Sequence, residues 1–319
     1  MTRPFGLRRV FGERLQEGIS LARFTSSRTG GTADWLIQVR SADELRRTAV
    51  RLWEMGERFR VLGGGSNVLV ADAGVREVVV LNEARDVRFE AGDLTTRVTA
   101  ESGASLGSLA RRSADRGLTG LEWAATVPGT IGGAVVGNAG AHGGDVAGTL
   151  ETAEILQPPD RAEPWPVERL EYAYRTSWLK RHPGQAVVLS AAFPLQASTP
   201  EVTRARVEAN VEARQRTQPP GASWGSMFKN PPGDFAGRLV EAAGLKGTRI
   251  GQAEISRLHA NFFLNDGGAS AMDVAQLLLE TRRRVREDSG VDLELEIELL
   301  GDWPAEIRHS LSAPRSEKA

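Results

Sequence analysis

The sequence predicts an α+β chain of two domains, a β-rich N-terminal part followed by a smaller α+β part. Three observations predict it. A length of 319 residues exceeds what one ordinary domain needs. Before Thr199 the apolar residues fall mostly in short runs bounded by glycine, the pattern of strands. At Thr199-Pro200 the texture changes to charged helical patterns joined by a Pro/Gly-rich connection.

The elements follow in order. Residues 34–40 (DWLIQVR) read as a strand. Ser41, with Glu44 three residues on, is a capping box that opens an amphipathic helix. FRVLGGGSNVLV reads as a strand, a triple-glycine turn and a second strand, and GVREVVVLN and TRVTAESGASL continue the β pattern. LGSLARRSADRG is a short helix closed by Gly117. A glycine-rich segment, 126–144, precedes the strand-like TLETAEILQ and AVVLSAAFPLQ. Beyond it PEVTRARVEANVEARQR is a charged helix. SAMDVAQLLLETRRRVREDSG is an amphipathic one, capped by Ser270 and Asp273 and striped by Val274, Leu277, Leu278 and Val285. In DLELEIELLG (292–301), Leu293, Leu295, Ile297 and Leu299 alternate with Asp292, Glu294, Glu296 and Glu298. Alternation predicts a strand whose acids share one face, and solvated acid on an edge is the ordinary reading. The expected boundaries are a lead-in at 1–24, domains at 25–198 and 199–303, and a flexible tail at 304–319.

Composition excludes several classes of function. Forty basic residues against 41 acidic ones leave a formal charge of −1, so no basic field calls for nucleic acid. The absence of cysteine removes thiolate chemistry and cysteine metal sites. His142, His182, His259 and His309 lack metal-ligand spacing, so no metal is expected. Charges interrupt the N-terminal apolar residues, which argues against a signal peptide or membrane span. A cytoplasmic protein with no membrane and no required protein partner is the expectation.

Two glycine clusters carry the first chemical signal. In LGGGSN, Gly63, Gly64 and Gly65 can turn several backbone N–H groups on one anion, with Ser66 and Asn67 adding side-chain donors. Strand continues at Val68, so this is not the dinucleotide fingerprint that opens a helix. A glycine-rich hairpin turn explains the cluster equally well. The second cluster, TVPGTIGGAVVGNAGAHGG, suits backbone running close against a large ligand. Two phosphate-friendly clusters on one β-rich domain suggest a bulky dinucleotide such as FAD.

LGGGSNVLV and GLTGLEWAATVPGTIGGAVVGNAGA resemble the flavin-binding domain of the UDP-N-acetylenolpyruvoylglucosamine reductase (MurB) family, in the vanillyl-alcohol-oxidase-like (PCMH-type) FAD superfamily. YAYRTSWLK, GSMFKNP, EAAGLKGTRIGQAEIS, HANFFLN and GVDLELEIELLG extend the resemblance to about residues 25–301. It implies a two-lobed PCMH-type FAD-binding domain with mixed and antiparallel sheets, plus a smaller C-terminal α+β substrate-binding domain. It also implies non-covalent FAD, held by Gly63, Gly64, Gly65, Ser66, Asn67, Thr126, Pro128, Gly129, Gly132, Gly133, Asn138 and Gly140. NADPH is the implied reductant, and a nucleotide sugar, UDP-N-acetylglucosamine enolpyruvate, is reduced to UDP-N-acetylmuramate for peptidoglycan synthesis.

The catalytic residues the resemblance implies are Arg175, Ser226 and Glu296. Arg175 matches the arginine that holds the substrate carboxylate and developing enolate. Ser226 matches the proton donor, and Glu296 the glutamate that works beside the arginine, with a shifted pKa expected. Tyr174, Lys229, Asn230 and His259 are the implied substrate contacts. Three departures stand out: Thr126-Val127 where Gly-Ile is usual, Trp224 before Gly225-Ser226, and His142 in place of a common tyrosine. The short connection before Ser226 points to the shorter type II form. The alternative is another FAD oxidase or dehydrogenase of the superfamily acting on an alcohol or sugar.

Overall fold

The apolar runs form strands in the computed structural model, which describes residues 3–92 and 95–312. The chain divides into two units and crosses between them more than once. The first holds Met1–Glu17, Trp35–Gly64 and Glu77–Arg214. The second holds Gly18–Asp34, Gly65–Arg76 and the chain from Gln215 onward.

In the first unit Val187–Ala197 is the middle strand of an antiparallel sheet. It pairs with Thr152–Gln157 on one side and Thr95–Glu101 on the other, flanked by Arg161–Pro166 and Val87–Ala91. Both faces are covered, which is why AVVLSAAFPLQ reads as a continuous apolar run. Val187 and Leu189 enter the core around the helix Ala42–Glu54, whereas Val188, Ala191 and Phe193 enter the core around the helix Leu106–Ala114. A mixed sheet has the order Leu15–Ser20, Thr32–Val39, Val75–Asn82, Phe59–Leu62, its last pair parallel. Ser41 Oγ accepts from Glu44 N at 3.1 Å, and Glu44 Oε2 accepts from Arg40 N at 2.8 Å. The capping box thus closes one residue further out than the pattern implies.

The second unit has an antiparallel sheet in the order Ser223–Ser226, Phe262–Asn265, Ala253–Ile255, Arg249–Ile250. The helix Ala271–Ser289 buries Val274, Leu277, Leu278 and Val285 in this unit's core. Its start carries the predicted Ser270/Asp273 box, and the Asp72 carboxylate accepts from Ala271 N and Met272 N at 2.8 and 2.9 Å. Glu298–Leu300 runs parallel to Val68–Val70.

Several sequence expectations change. The lead-in contains a helix, Arg3–Phe11, whose Leu7 and Phe11 are buried in a first-unit core. The helix Pro200–Thr217 belongs mostly to the first unit: Val207 enters its core and Thr203 Oγ1 donates to Ala114 O at 2.6 Å. The division therefore falls after Arg214, because two buried residues outweigh a charged surface that reads as linker. The expected tail forms a helix, Ala305–Leu311, with Trp303 and Leu311 buried and Arg282 Nη1 donating to Ser310 O at 2.6 Å. Residues 313–319 of that tail lie outside the described residues.

The predicted strand at 292–301 is shorter. Only Glu298–Leu300 is strand; upstream a single bridge joins Leu295 to Phe228. Leu293 and Ile297, four residues apart, are buried, while Leu295 and Leu299 are half-buried. The chain bends at Glu296 as it changes partner, from the 226–229 segment to Val68–Val70. Glu294 and Glu298 stay exposed; Glu296 is half-buried.

Candidate active site

The loop after Phe59–Leu62 is built for close approach. A Cβ on Gly63 would lie 2.3 Å from Thr130 Oγ1, and one on Gly64 3.2 Å from Gly129 Cα. The two glycine clusters therefore meet backbone to backbone at Gly63-Gly64 and Gly129-Thr130. Gly65 has φ +57° and presses on the Phe24 carbonyl, so only glycine fits there. No acceptor among the described residues takes the backbone N–H groups of Gly63 to Asn67, or those of Gly129 and Thr130. Such a run of open N–H groups is a nest for an anion. It fits the pyrophosphate of a dinucleotide. The Asn67 side chain has a different use: its Nδ2 donates to Glu296 O at 3.1 Å.

The rest of the second cluster behaves differently. It is not a loop throughout, since Ile131–Gly137 is a helix with Thr130 as N-cap. Gly132 N donates to Ser102 O at 2.8 Å, and Gly133 N to Thr130 Oγ1 at 3.4 Å. Their N–H groups are already engaged, and a Cβ on Gly132 would lie 3.0 Å from Ser102 Cβ. These glycines serve helix packing. Asn138 is 5 % exposed; its Nδ2 donates to Ala173 O at 3.1 Å and its Oδ1 accepts from Ala147 N at 3.0 Å. Both ends of that amide are engaged within the protein. Thr130 itself was missed in the sequence, although a threonine ahead of IGGAVV is an N-cap signal.

The end of this short helix holds the arginine segment. Tyr172 Oη donates to Val135 O at 3.0 Å and Ser177 Oγ to Val136 O at 2.7 Å. Arg175 Nη2 donates to Gly140 O at 2.9 Å and Nη1 to Asn138 O at 3.4 Å. The YAYRTS motif thus satisfies carbonyls that a helix C-terminus leaves open, and its cation sits at the negative end of the dipole. Ala173 and Thr176 exchange hydrogen bonds of 3.1 and 3.2 Å, and Arg175 takes φ +56° at the corner between them. Holding a non-glycine residue in the left-handed region costs about 1 kcal/mol or more. Tyr174, 51 % exposed, lies under the guanidinium, with Cζ 5.3 Å from its ring centroid.

Thr126 Oγ1 sits 3.0 Å from His142 Nε2, and its carbonyl accepts from Arg214. Burial, then the Arg214 charge, pushes the His142 imidazole below its ordinary pKa. Arg214 is half-buried with no carboxylate partner among the described residues. A charged helix hid it from sequence reading.

In the second unit Ser226 and Glu296 come from neighbouring segments. Glu296 N donates to Met227 O at 2.9 Å, and Lys229 N to Glu294 O at 2.8 Å, around the Phe228–Leu295 bridge. The register shift between Ser223 and Ser226 is a bulge that includes Trp224 and Gly225, the latter at φ +75°. Trp224 is 1 % exposed, so the larger residue there anchors the bulge in the core. The Ser226 hydroxyl is half-buried and has no hydrogen-bond partner among the described residues. Lys229 Nζ pairs with the Glu294 carboxylate, so Glu294 is more than solvated edge. Asn230 Oδ1 accepts from Ala236 N at 3.0 Å, at the start of the helix Ala236–Ala242. His259 Nδ1 accepts from Asn261 N at 3.2 Å as part of a turn, and burial lowers its pKa.

A family model described as the C-terminal domain of UDP-N-acetylenolpyruvoylglucosamine reductase matches residues 215–300. One described as an FAD binding domain matches 33–156. A UDP-N-acetylenolpyruvoylglucosamine reductase from Chloroflexus aggregans is 44% identical over 285 residues, 88% of this chain and 95% of the relative. The chain belongs to the UDP-N-acetylenolpyruvoylglucosamine reductase family.

Other members of this reductase family agree. The Rubrobacter xylanophilus reductase is 44% identical over 284 residues, covering 88% of this chain and 94% of its own. The crystal structure of the reductase from Thermus caldophilus superposes with a TM-score of 0.76 at 37% identity, covering 90% of this chain and 99% of that one. Where the reductase C-terminal match begins, at 215, the second unit resumes. Among the described residues no helix is long and apolar enough to cross a membrane, and no group of three or more His, Asp or Glu could hold a metal ion.

Proposed function

We propose that the protein reduces UDP-N-acetylglucosamine enolpyruvate to UDP-N-acetylmuramate, with NADPH as reductant, in cytoplasmic peptidoglycan precursor synthesis. FAD, when bound, supplies the hydride chemistry. The open N–H groups of Gly63 and Gly64, with those of Gly129 and Thr130, would hold its pyrophosphate.

The chain's own residues handle charge and protons. Hydride arriving at one alkene carbon leaves negative charge on its neighbour, delocalised into the substrate carboxylate. The Arg175 guanidinium, preset by the Gly140 carbonyl, meets that carboxylate and the growing enolate charge. The Ser226 hydroxyl delivers its proton to the carbanionic carbon; a weak acid serves there because it is held in place. Glu296, protonated or paired, serves the same intermediate without opposing its charge. Lys229 supports the substrate diphosphate.

One observation carries this reading. The reductase-specific match over 215–300 contains Ser226, Lys229 and Glu296, which an alcohol or sugar oxidase would not require in these settings. The test is anaerobic. The yellow protein is bleached with NADPH, and UDP-N-acetylglucosamine enolpyruvate is added. Return of the oxidised spectrum with one equivalent of UDP-N-acetylmuramate is expected; a bleached protein that stays bleached would sink the proposal.

A further inference from the structure

The end of the glycine loop carries a role that LGGGSN does not suggest. Asn67 Nδ2 donates to Glu296 O at 3.1 Å, and Asn67 O accepts from Glu298 N at 2.9 Å. The other side of Glu296 is held by Met227 O, which accepts its N–H at 2.9 Å. Glu296 is thus the residue at which the chain leaves the Ser226–Lys229 segment and joins Val68–Val70, whose first pair is Val68 with Glu298. At that bend the Asn67 side chain holds the Glu296 carbonyl. Asn67 itself rises from a fixed base, since Ser26 N donates to Gly65 O at 3.1 Å and Gly65 abuts the Phe24 carbonyl.

We propose that Asn67 is a positioning residue for Glu296, and that its side chain does not bind the cofactor. The proposal rests on the reductase reading, in which Glu296 acts when the nucleotide sugar is reduced. A primary amide of this length reaches the carbonyl while its own backbone N–H stays with the open run of the loop. Asn67→Ala and Asn67→Leu both remove the donor, and the second keeps the side chain's size without adding a charge beside the anion nest. A lost part-buried hydrogen bond to a bent segment lets the carboxyl shift, and misplacement of order 1 Å costs on the order of 100-fold in rate.

The test separates two half-reactions by stopped flow. For both variants we expect FAD content, read from the visible absorbance per protein, and bleaching by NADPH to stay within about twofold of wild type. Reoxidation by UDP-N-acetylglucosamine enolpyruvate should slow by about tenfold or more, and the pH profile of that step should move. Combined with Glu296→Gln, the Asn67 variants should add little further slowing, because they act through the same carboxyl. Loss of FAD or equal slowing of bleaching would make Asn67 a cofactor ligand and overturn the proposal. Full additivity, or a far-UV spectrum unlike wild type for both variants, would overturn it too. If Glu296→Gln alone leaves reoxidation unchanged, the role of Glu296 itself fails, and the proposal falls with it.

Discussion

Two stretches of this chain look alike in composition and do opposite things with their backbone. Gly63 to Asn67 keep their N–H groups open to a ligand. The segment from Ile131 to Gly140 engages its own: Gly132 on Ser102, Gly133 on Thr130, Asn138 on Ala134. One stretch is a surface for an anion. The other is a scaffold whose helix end presents carbonyls to Tyr172, Arg175 and Ser177. Glycine content reports only that backbone comes close to something; the hydrogen-bond partners decide whether that something is ligand or protein.

The sharpest way to break the comparison is Gly63→Val. A side chain there collides with Thr130 and displaces the N–H groups, removing two or more hydrogen bonds to an anion at about 1.5 kcal/mol each. Equilibrium dialysis should show FAD affinity lower by about 100-fold. Unchanged FAD affinity would move the anion site elsewhere. Asn138→Ala attacks the scaffold, leaving Ala173 O and Ala147 N without their buried partner, and should cost about 2–3 kcal/mol in urea unfolding. The KM for the nucleotide sugar should rise as the Arg175 turn loosens, with the bound-flavin spectrum unaltered.

Gly132→Ala is a milder overpacking against Ser102, worth about 1–2 kcal/mol of stability. Its folded fraction should bind FAD as wild type does, in contrast with Gly63→Val. The smallest effect concerns His142. Its folded pKa lies below the ordinary value near 6.5, so the unfolded chain takes the proton first on acidification. Its contribution is whole above about pH 6.5 and fades as pH falls toward the folded pKa. His142→Asn should lessen the drop in urea midpoint between about pH 7.5 and 5.5. The slope that persists belongs to His259, which burial lowers likewise.

Much of this was legible in the sequence, because the strand runs, the Ser41 and Ser270 caps and the reductase motifs are local signals. What was not legible depends on partners distant in the chain. The Pro200–Thr217 helix read as the start of a new domain until Thr203 met Ala114. Glu294, Glu296 and Glu298 read as one face until the chain bent and gave Glu294 to Lys229. Asn67 and Asn138 both read as cofactor donors, yet each side chain reaches a carbonyl of its own chain, 229 and 35 residues away respectively. Pattern identifies which residues matter; contacts across the chain decide what each one does.

The central claim is that the glycine loop holds the cofactor while Ser226 serves only the reduction of the nucleotide sugar. Single-turnover absorbance of Ser226→Ala tests it most directly. NADPH should bleach the variant at the wild-type rate, and reoxidation by UDP-N-acetylglucosamine enolpyruvate should slow by about 100-fold or more. Reoxidation at the wild-type rate, or bleaching slowed to the same degree, would contradict the account.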